Sequence, residues 1–141
     1  MAQHGYFYWN ELMTHDVDKA RRFYQQCLGW SFEAMDSPTG DYWFAKMGDE
    51  PVGGLYLMEG PDFAGMPEQW VPYVSVDDVD SRLKQAVTAG AKIMREPFDV
   101  PEVGRIAILR DSGGALIAWM TPQDTSQDTP QASSYPGYPA S

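Results

Sequence analysis

Cysteine is almost missing from this chain: Cys27 is the single one in 141 residues. An internal disulfide is therefore excluded, and the usage fits a reducing cytoplasm, where the protein is expected to reside. Cys27 falls on the apolar side of a predicted helix and reads as core packing rather than as a nucleophile. Histidine is scarce as well, with only His4 ahead of the first strand and His15 in a turn before a helix. They read as an exposed terminus and a capping turn. Positive charge also runs short, with 10 basic residues against 20 acidic ones and a formal charge of −10. Such a surface repels a phosphate backbone, so nucleic acid is not an expected partner. The acids are scattered, as on an ordinary solvated surface. No apolar run approaches the roughly 18–20 residues of a membrane span. The start, "MAQHGYFYWNEL", lacks the basic flank and apolar stretch of a signal peptide, so no membrane association is expected.

What is present is a repeated pattern. The hydrophobic content of 43% and aromatic content of 13% suit one globular domain, placed at residues 1–121. Residues 122–141, "PQDTSQDTPQASSYPGYPAS", have no apolar period and read as a disordered tail. "YFYWNELMT" reads as a strand by its aromatic content. "HDVDKARRFYQQCLGW" then supplies a helix, with Asp16 as N-cap and Gly29 as its left-handed stop. Its expected buried stripe is Val17, Ala20, Phe23, Tyr24, Cys27 and Leu28. Three strands follow, "WSFEAM", "DYWFAKM" and "VGGLYLM", separated by the turn signals "DSPTG" and "GDEP". The order then starts again. "WVPYVSV" is a strand, and "DDVDSRLKQAVTAG" is a helix capped by Asp78 and stopped by Gly90. Val79, Leu83, Ala86 and Val87 form its stripe, and "AKIMREP", "GRIAILR" and "ALIAWM" are further strands. "HDVDKA" at 15–20 aligns with "DDVDSR" at 77–82. The chain thus reads as α+β, two βαβββ modules at 5–59 and 70–121 with a linker at 60–69.

One helix covers one face of each four-stranded sheet and leaves the other face open. Two such sheets set side by side make a curved, cup-like barrel with helices outside, and the cup is where a ligand is expected.

The βαβββ repeat, the run "DVDKARRFYQQCLGW" and the run "DSGGALIAW" resemble the vicinal oxygen chelate superfamily. That superfamily includes glyoxalases, extradiol dioxygenases and bleomycin-resistance proteins. "WNEL", "VGGLY" and "VPEVGRIAILRDSGGALIAW" are similar to its glyoxalase-like branch. The resemblance implies a divalent metal held by His, Gln or Glu on the first and last strands of each module. Those positions map here onto Trp9, Gly54, Val71 and Ala118, whose side chains offer no ligand. No metal or cofactor is therefore expected. It also implies pairing of two chains, so a homodimer is expected.

Strand alternation names the residues facing the cup. Trp9 and Glu11 come from the first strand, Gly54, Tyr56 and Met58 from the fourth. Val71, Tyr73 and Ser75 come from the fifth, and Leu116, Ala118 and Met120 from the last. Parity is open for "DYWFAKM" and "GRIAILR", leaving Phe44, Lys46 and Arg105 as rim or wall residues. Trp9, Glu11, Tyr56, Tyr73, Ser75 and Met120 are the candidate ligand-binding set, and Glu11 is the candidate catalytic residue. A buried carboxylate must be paired, hydrogen-bonded or neutral. Glu11 is thus either a structural acceptor, with Tyr73 as one candidate donor, or a base or anchor for a ligand hydroxyl or amine. The functional expectation is a metal-free small-molecule-binding protein. The alternatives are bleomycin-type resistance by sequestration, or a lyase, isomerase or dioxygenase-like enzyme using Glu11.

Overall fold

The structure is a computed structural model that describes residues 3–35, 42–101 and 103–123. The "DSPTG" turn and residues 124–141 of the expected tail lie outside the described residues. The elements run β1 (Phe7–Thr14), α1 (Val17–Leu28), β2 (Ser31–Ala34), β3 (Tyr42–Met47) and β4 (Glu50–Leu57). A short 3-10 helix (Pro61–Phe63) precedes β5 (Gln69–Ser75), α2 (Val79–Thr88), β6 (Lys92–Val100), β7 (Gly104–Arg110) and β8 (Leu116–Pro122). This is the α+β order βαβββ written twice. Among the described residues no helix is long and apolar enough to cross a membrane.

The chain divides into two compact units, residues 10–71 and residues 3–9 with 72–123, with the divisions inside β1 and β5. In the 10–71 unit the strand order is β2-β3-β4-β1, with β1 parallel to β4 and the other pairs antiparallel. The core lies between that sheet and α1. Leu12, Ala45 and Leu55 meet Val17 and Ala20 there, with Trp43, Leu57, Tyr24 and Trp30 packed around them. Asp16 caps α1 by accepting from the Lys19 N–H at 3.0 Å, and Gly29 ends it at φ 77°. Both follow from the residue types: a short acceptor at the N-cap and no Cβ in the left-handed stop.

The α1 stripe differs from the expectation. Val17 and Ala20 are buried and Tyr24 half-buried, whereas Phe23 is 55% exposed, Leu28 51% exposed, and Cys27 also exposed. The helix presents the face of 17, 20, 21 and 24, and the Arg21 guanidinium lies 4.3 Å from the Trp43 ring centroid. A long stem under a planar charged head can cover an indole as well as a hydrocarbon can. Position 23 falls about 110° from the centre of that face and is left in solvent. Cys27 is therefore not a core residue.

The second unit has the order β5-β8-β7-β6, with β5 parallel to β8. Val79, Leu83 and Ala86 of α2 pack on Val76, Ala107 and Leu109, joined by Val74, Ile93, Ile117 and Trp119. Val87, expected in that stripe, is 47% exposed. Asp78 caps α2 through the Asp80 N–H at 3.2 Å. The backbone of Gly5 and Tyr6 bonds to that of Ser75, at 2.7 and 2.8 Å. Its neighbour His4 accepts from the Asp77 N–H through Nδ1 at 3.1 Å.

Asp77 also takes two bonds from Arg82, at 2.8 and 2.9 Å. Those guanidinium bonds hold its carboxyl down from 3.8 to about 2. A carboxylate depressed in the fold stabilises above its unfolded pKa and stops doing so as pH falls through the folded one. Arg82→Gln should therefore lower Tm at neutral pH by a small, surface-pair amount. The difference from wild type should shrink as pH drops from about 4 to 2. A Tm gap that stays constant across this acid range would remove Arg82 as the cause.

Candidate functional site

Each sheet has one face under its helix and one face away from it, and register sorts the side chains. In the 10–71 unit, Leu12 pairs with Leu55 on the helix side, while Glu11 pairs with Gly54 and Met13 with Tyr56 on the other. Tyr42 pairs with Tyr56 and Phe44 with Gly54. Glu11, Met13, Tyr42, Phe44, Gly54 and Tyr56 thus share one face. Phe44 is placed on this face, which alternation alone had left open. So is Lys46, whose Nζ bonds Glu33 at 3.0 Å. The register shift at Ala45/Lys46 leaves Val52 of β4 unpaired, while β3 keeps its own period. Three successive rings, Tyr42, Trp43 and Phe44, are why that period could not be read from residue type.

Glu11 is 7% exposed, on a face that also carries aromatic rings, methionine and glycine, with the Lys46–Glu33 pair toward β2. Tyr42 and Phe44 meet edge to face with centroids 5.5 Å apart, and Tyr56 meets Phe63 in the same manner at 5.9 Å. Glu11, Tyr42 and Phe44 each engage other groups within the fold. The Tyr42 phenol lies across the backbone of Gly54: a Cβ built there would overlap its oxygen and Cζ and come within 3.0 Å of Cε1. Gly54 is therefore a glycine because a ring occupies the room of its side chain. Tyr42 is the residue that sequence reasoning missed.

In the second unit, Tyr73 pairs with Ala118 and Ser75 with Met120, while Ile108 and Ile106 continue those two rows. Tyr73 (5% exposed), Ser75 (1%) and Met120 (3%) are all buried. Ser75 Oγ donates to the Tyr6 carbonyl at 3.3 Å and also contacts the Gln3 carbonyl, so its hydroxyl serves the N-terminal segment. Trp9 is half-buried on β1. Arg105, left as a rim or wall residue by alternation, is on the helix side, bonded to Asp80 of α2 at 3.1 Å and to Asp99 at 3.1 Å. Within the run "DSGGALIAW", Asp111 Oδ1 accepts from the N–H groups of Gly113 and Ala115, at 3.0 and 2.9 Å. That part of the motif builds a turn rather than a reactive group.

The superfamily's metal calls for nitrogen and oxygen donors converging on one point. Among the described residues no three His, Cys, Asp or Glu side chains gather in that way. Glu11 faces a glycine whose side-chain space is taken by a phenol. His15 is turned elsewhere, with Nε2 2.7 Å from the Met66 carbonyl. The residues at Trp9, Gly54, Val71 and Ala118 do not fit the group.

Comparison with known proteins gives the lineage. A sequence profile of the Glyoxalase/Bleomycin resistance protein/Dioxygenase superfamily matches residues 7–119. CFP32 of Mycobacterium tuberculosis, which carries a provisional glyoxylase name, is 40% identical over 119 residues, covering 84% of this chain and 44% of that protein. The anthracycline biosynthesis protein DnrV of Streptomyces peucetius is 32% identical over 122 residues, covering 78% and 44%. The chain spans less than half the length of these two relatives. Among solved structures, protein BH1468 of Bacillus halodurans superposes with a TM-score of 0.63 at 15% identity, over 87% of this chain and 98% of that one. A methylmalonyl-CoA epimerase of Streptomyces coelicolor superposes with a TM-score of 0.57 at 17% identity, over 86% and 100%. At such identities the likeness is one of fold. With the profile spanning both modules, the chain belongs to the glyoxalase/bleomycin resistance protein/dioxygenase superfamily.

Proposed function

We propose that this chain is a small-molecule-binding member of its superfamily that works without the superfamily's metal. Its ligand is compact and largely apolar or aromatic, with a hydroxyl or amine held by Glu11. The observation that carries this reading is the Tyr42 phenol lying over Gly54, opposite Glu11. It puts aromatic surface and one carboxylate where a ligand-bearing side chain would otherwise stand. Rings give a flat molecule a stacking surface, and a low-exposure carboxylate gives it orientation. The relative named for anthracycline biosynthesis makes a hydroxylated anthraquinone the sensible first probe.

Elemental mass spectrometry of protein purified without chelator or histidine tag tests the metal half of the reading. Less than a tenth of a metal ion per chain is expected, and a near-stoichiometric ion would overturn it. The binding half is read by quenching of tryptophan fluorescence. Glu11→Gln should weaken the anthraquinone roughly tenfold while the protein stays folded. Equal affinity would remove Glu11 as the anchor.

A second reading makes Glu11 a general base in a metal-independent isomerase or lyase, and its low exposure among apolar neighbours supports that. Under it, Glu11→Gln keeps the ligand bound and loses turnover. Homodimerisation in the cytoplasm belongs to the same proposal, and light scattering should give twice the 15.8 kDa chain mass.

A further inference from the structure

Among the described residues of the second unit, Lys84, Lys92, Arg95 and Arg110 have no ion pair, and the last three lie on adjacent strands. Lys92 of β6 pairs directly with Arg110 of β7, and Arg95 pairs with Ile108 two residues along. Ile93, Ala107 and Leu109 face α2, so Lys92, Arg95 and Arg110 point from the opposite face. Directly opposed Cβ atoms in such a ladder are about 5 Å apart, and diagonal neighbours about 7–8 Å. Three positive side chains therefore start from neighbouring positions on one face of the sheet. No ion pair reaches any of them among the described residues, whereas Arg82 is matched by Asp77, and Arg105 by Asp80 and Asp99. Among the described residues, the nearby acids are placed elsewhere. Asp111 holds its turn, Asp99 bonds Arg105, and Glu96 lines the groove beside Asp80 and Lys84 on the α2 side.

We propose that Lys92, Arg95 and Arg110 form a binding subsite for the phosphate or carboxylate group of a small organic anion. Two of the three are held in place before any ligand arrives. The Arg95 guanidinium lies 3.6 Å over the Phe98 ring, which leaves its N–H edge free in the plane. Arg110 Nη1 donates to the Gly114 carbonyl at 3.0 Å, which spends one donor and keeps the rest. The apolar body of the ligand would rest on the Phe98, Ile106 and Ile108 row of the same face. Charge on β6 would also discourage strand addition at the end of the sheet order. That role is served equally well by a charge of either sign, so it does not explain opposing Lys92 to Arg110. Like charges directly across a ladder destabilise it. In a chain with twice as many acids as bases, an unbalanced positive corner is explained by an anion that balances it.

The test uses thermal unfolding of the full chain at constant ionic strength, with phosphate or acetate replacing chloride, since screening alone shifts surface charge effects. Phosphate or acetate should raise the Tm of the wild-type chain. Arg95→Gln should need roughly tenfold more of the same anion for an equal shift. Lys92→Glu turns the repelling pair into an attracting one. It should therefore raise Tm in chloride and abolish the anion response. Phosphate acting more strongly than acetate assigns a phosphoryl ligand, and the reverse assigns a carboxylate; both support the subsite. No response beyond chloride overturns it, and so does an equal response in wild type, Arg95→Gln and Lys92→Glu. The readout involves neither Glu11 nor an aromatic ligand, so it stands or falls apart from the reading of the other unit.

Discussion

Gly104→Ala should lower stability by about 3 kcal/mol, the largest single-residue effect expected in the second unit. Gly104 sits at φ 148°, a backbone region that side chains rarely adopt. A Cβ there would overlap the Thr121 carbonyl oxygen and come within 2.9 Å of Pro122 Cα and 3.1 Å of Gln123 N. These are backbone atoms of the β8 end, so no rotamer change relieves the overlap. The strands cannot easily part, because Gly104 pairs with Pro122 and the Gln123 N–H donates to the Val103 carbonyl at 3.0 Å. Ala107 and Leu109, further along β7, are fully buried against α2. A fall in Tm of roughly 10 °C is expected for a domain of this size. Gly113→Ala is the control. Its Cβ would meet only Asp111 Oδ1 at 3.6 Å, an ordinary contact, and its stability should hardly change. Equal melting of the two variants would defeat the steric account.

The regular parts of this fold were legible because their residue types answer local physical needs. Asp16, Asp78 and Gly29 mark helix ends by what their side chains can or cannot do. The inward and outward sets of β1, β4, β5 and β8 followed from a period of two, and Leu12, Leu55, Val74, Val76, Ile117 and Trp119 do lie on the helix side. Legibility stopped where the period was masked or broken. Three consecutive rings in β3, Tyr42, Trp43 and Phe44, hid which face each one takes, and two register shifts in β6 hid the alignment of Lys92 and Arg95. A bulge adds a residue and moves every later side chain to the other face, and a single sequence does not say where it falls. The α1 stripe was misread for another reason. Arg21 took a core-facing place by stacking on Trp43, a residue from a distant strand. The use of Ser75 likewise depends on Gln3 and Tyr6, far away in sequence. Local pattern cannot report contacts of that range.

Gly54→Ala should act on the candidate site itself. The atoms its Cβ would meet belong to the far end of the Tyr42 side chain, so the backbone need not move and the ring must. Turning that ring off the glycine breaks its edge-to-face contact with Phe44, made at a centroid distance of 5.5 Å. The expected stability loss is about 1–2 kcal/mol, less than for Gly104→Ala because one rotamer can yield. The expected loss in binding is larger, roughly tenfold to a hundredfold, since a displaced ring both removes a stacking surface and fills the space before Glu11. Tyr42→Ala separates these effects. With the ring gone, a methyl at position 54 meets no phenol, so adding Gly54→Ala to Tyr42→Ala should cost little further stability. A double-mutant cycle should therefore return a coupling of about 1 kcal/mol. Tyr42→Phe keeps the ring and removes only the oxygen, and so separates the ring's packing from what the phenol oxygen contributes. Strict additivity of Gly54→Ala and Tyr42→Ala would mean that ring and glycine do not share this space. The glycine would then have no bearing on how Glu11 meets a ligand, and the metal-free reading would lose the observation that carries it.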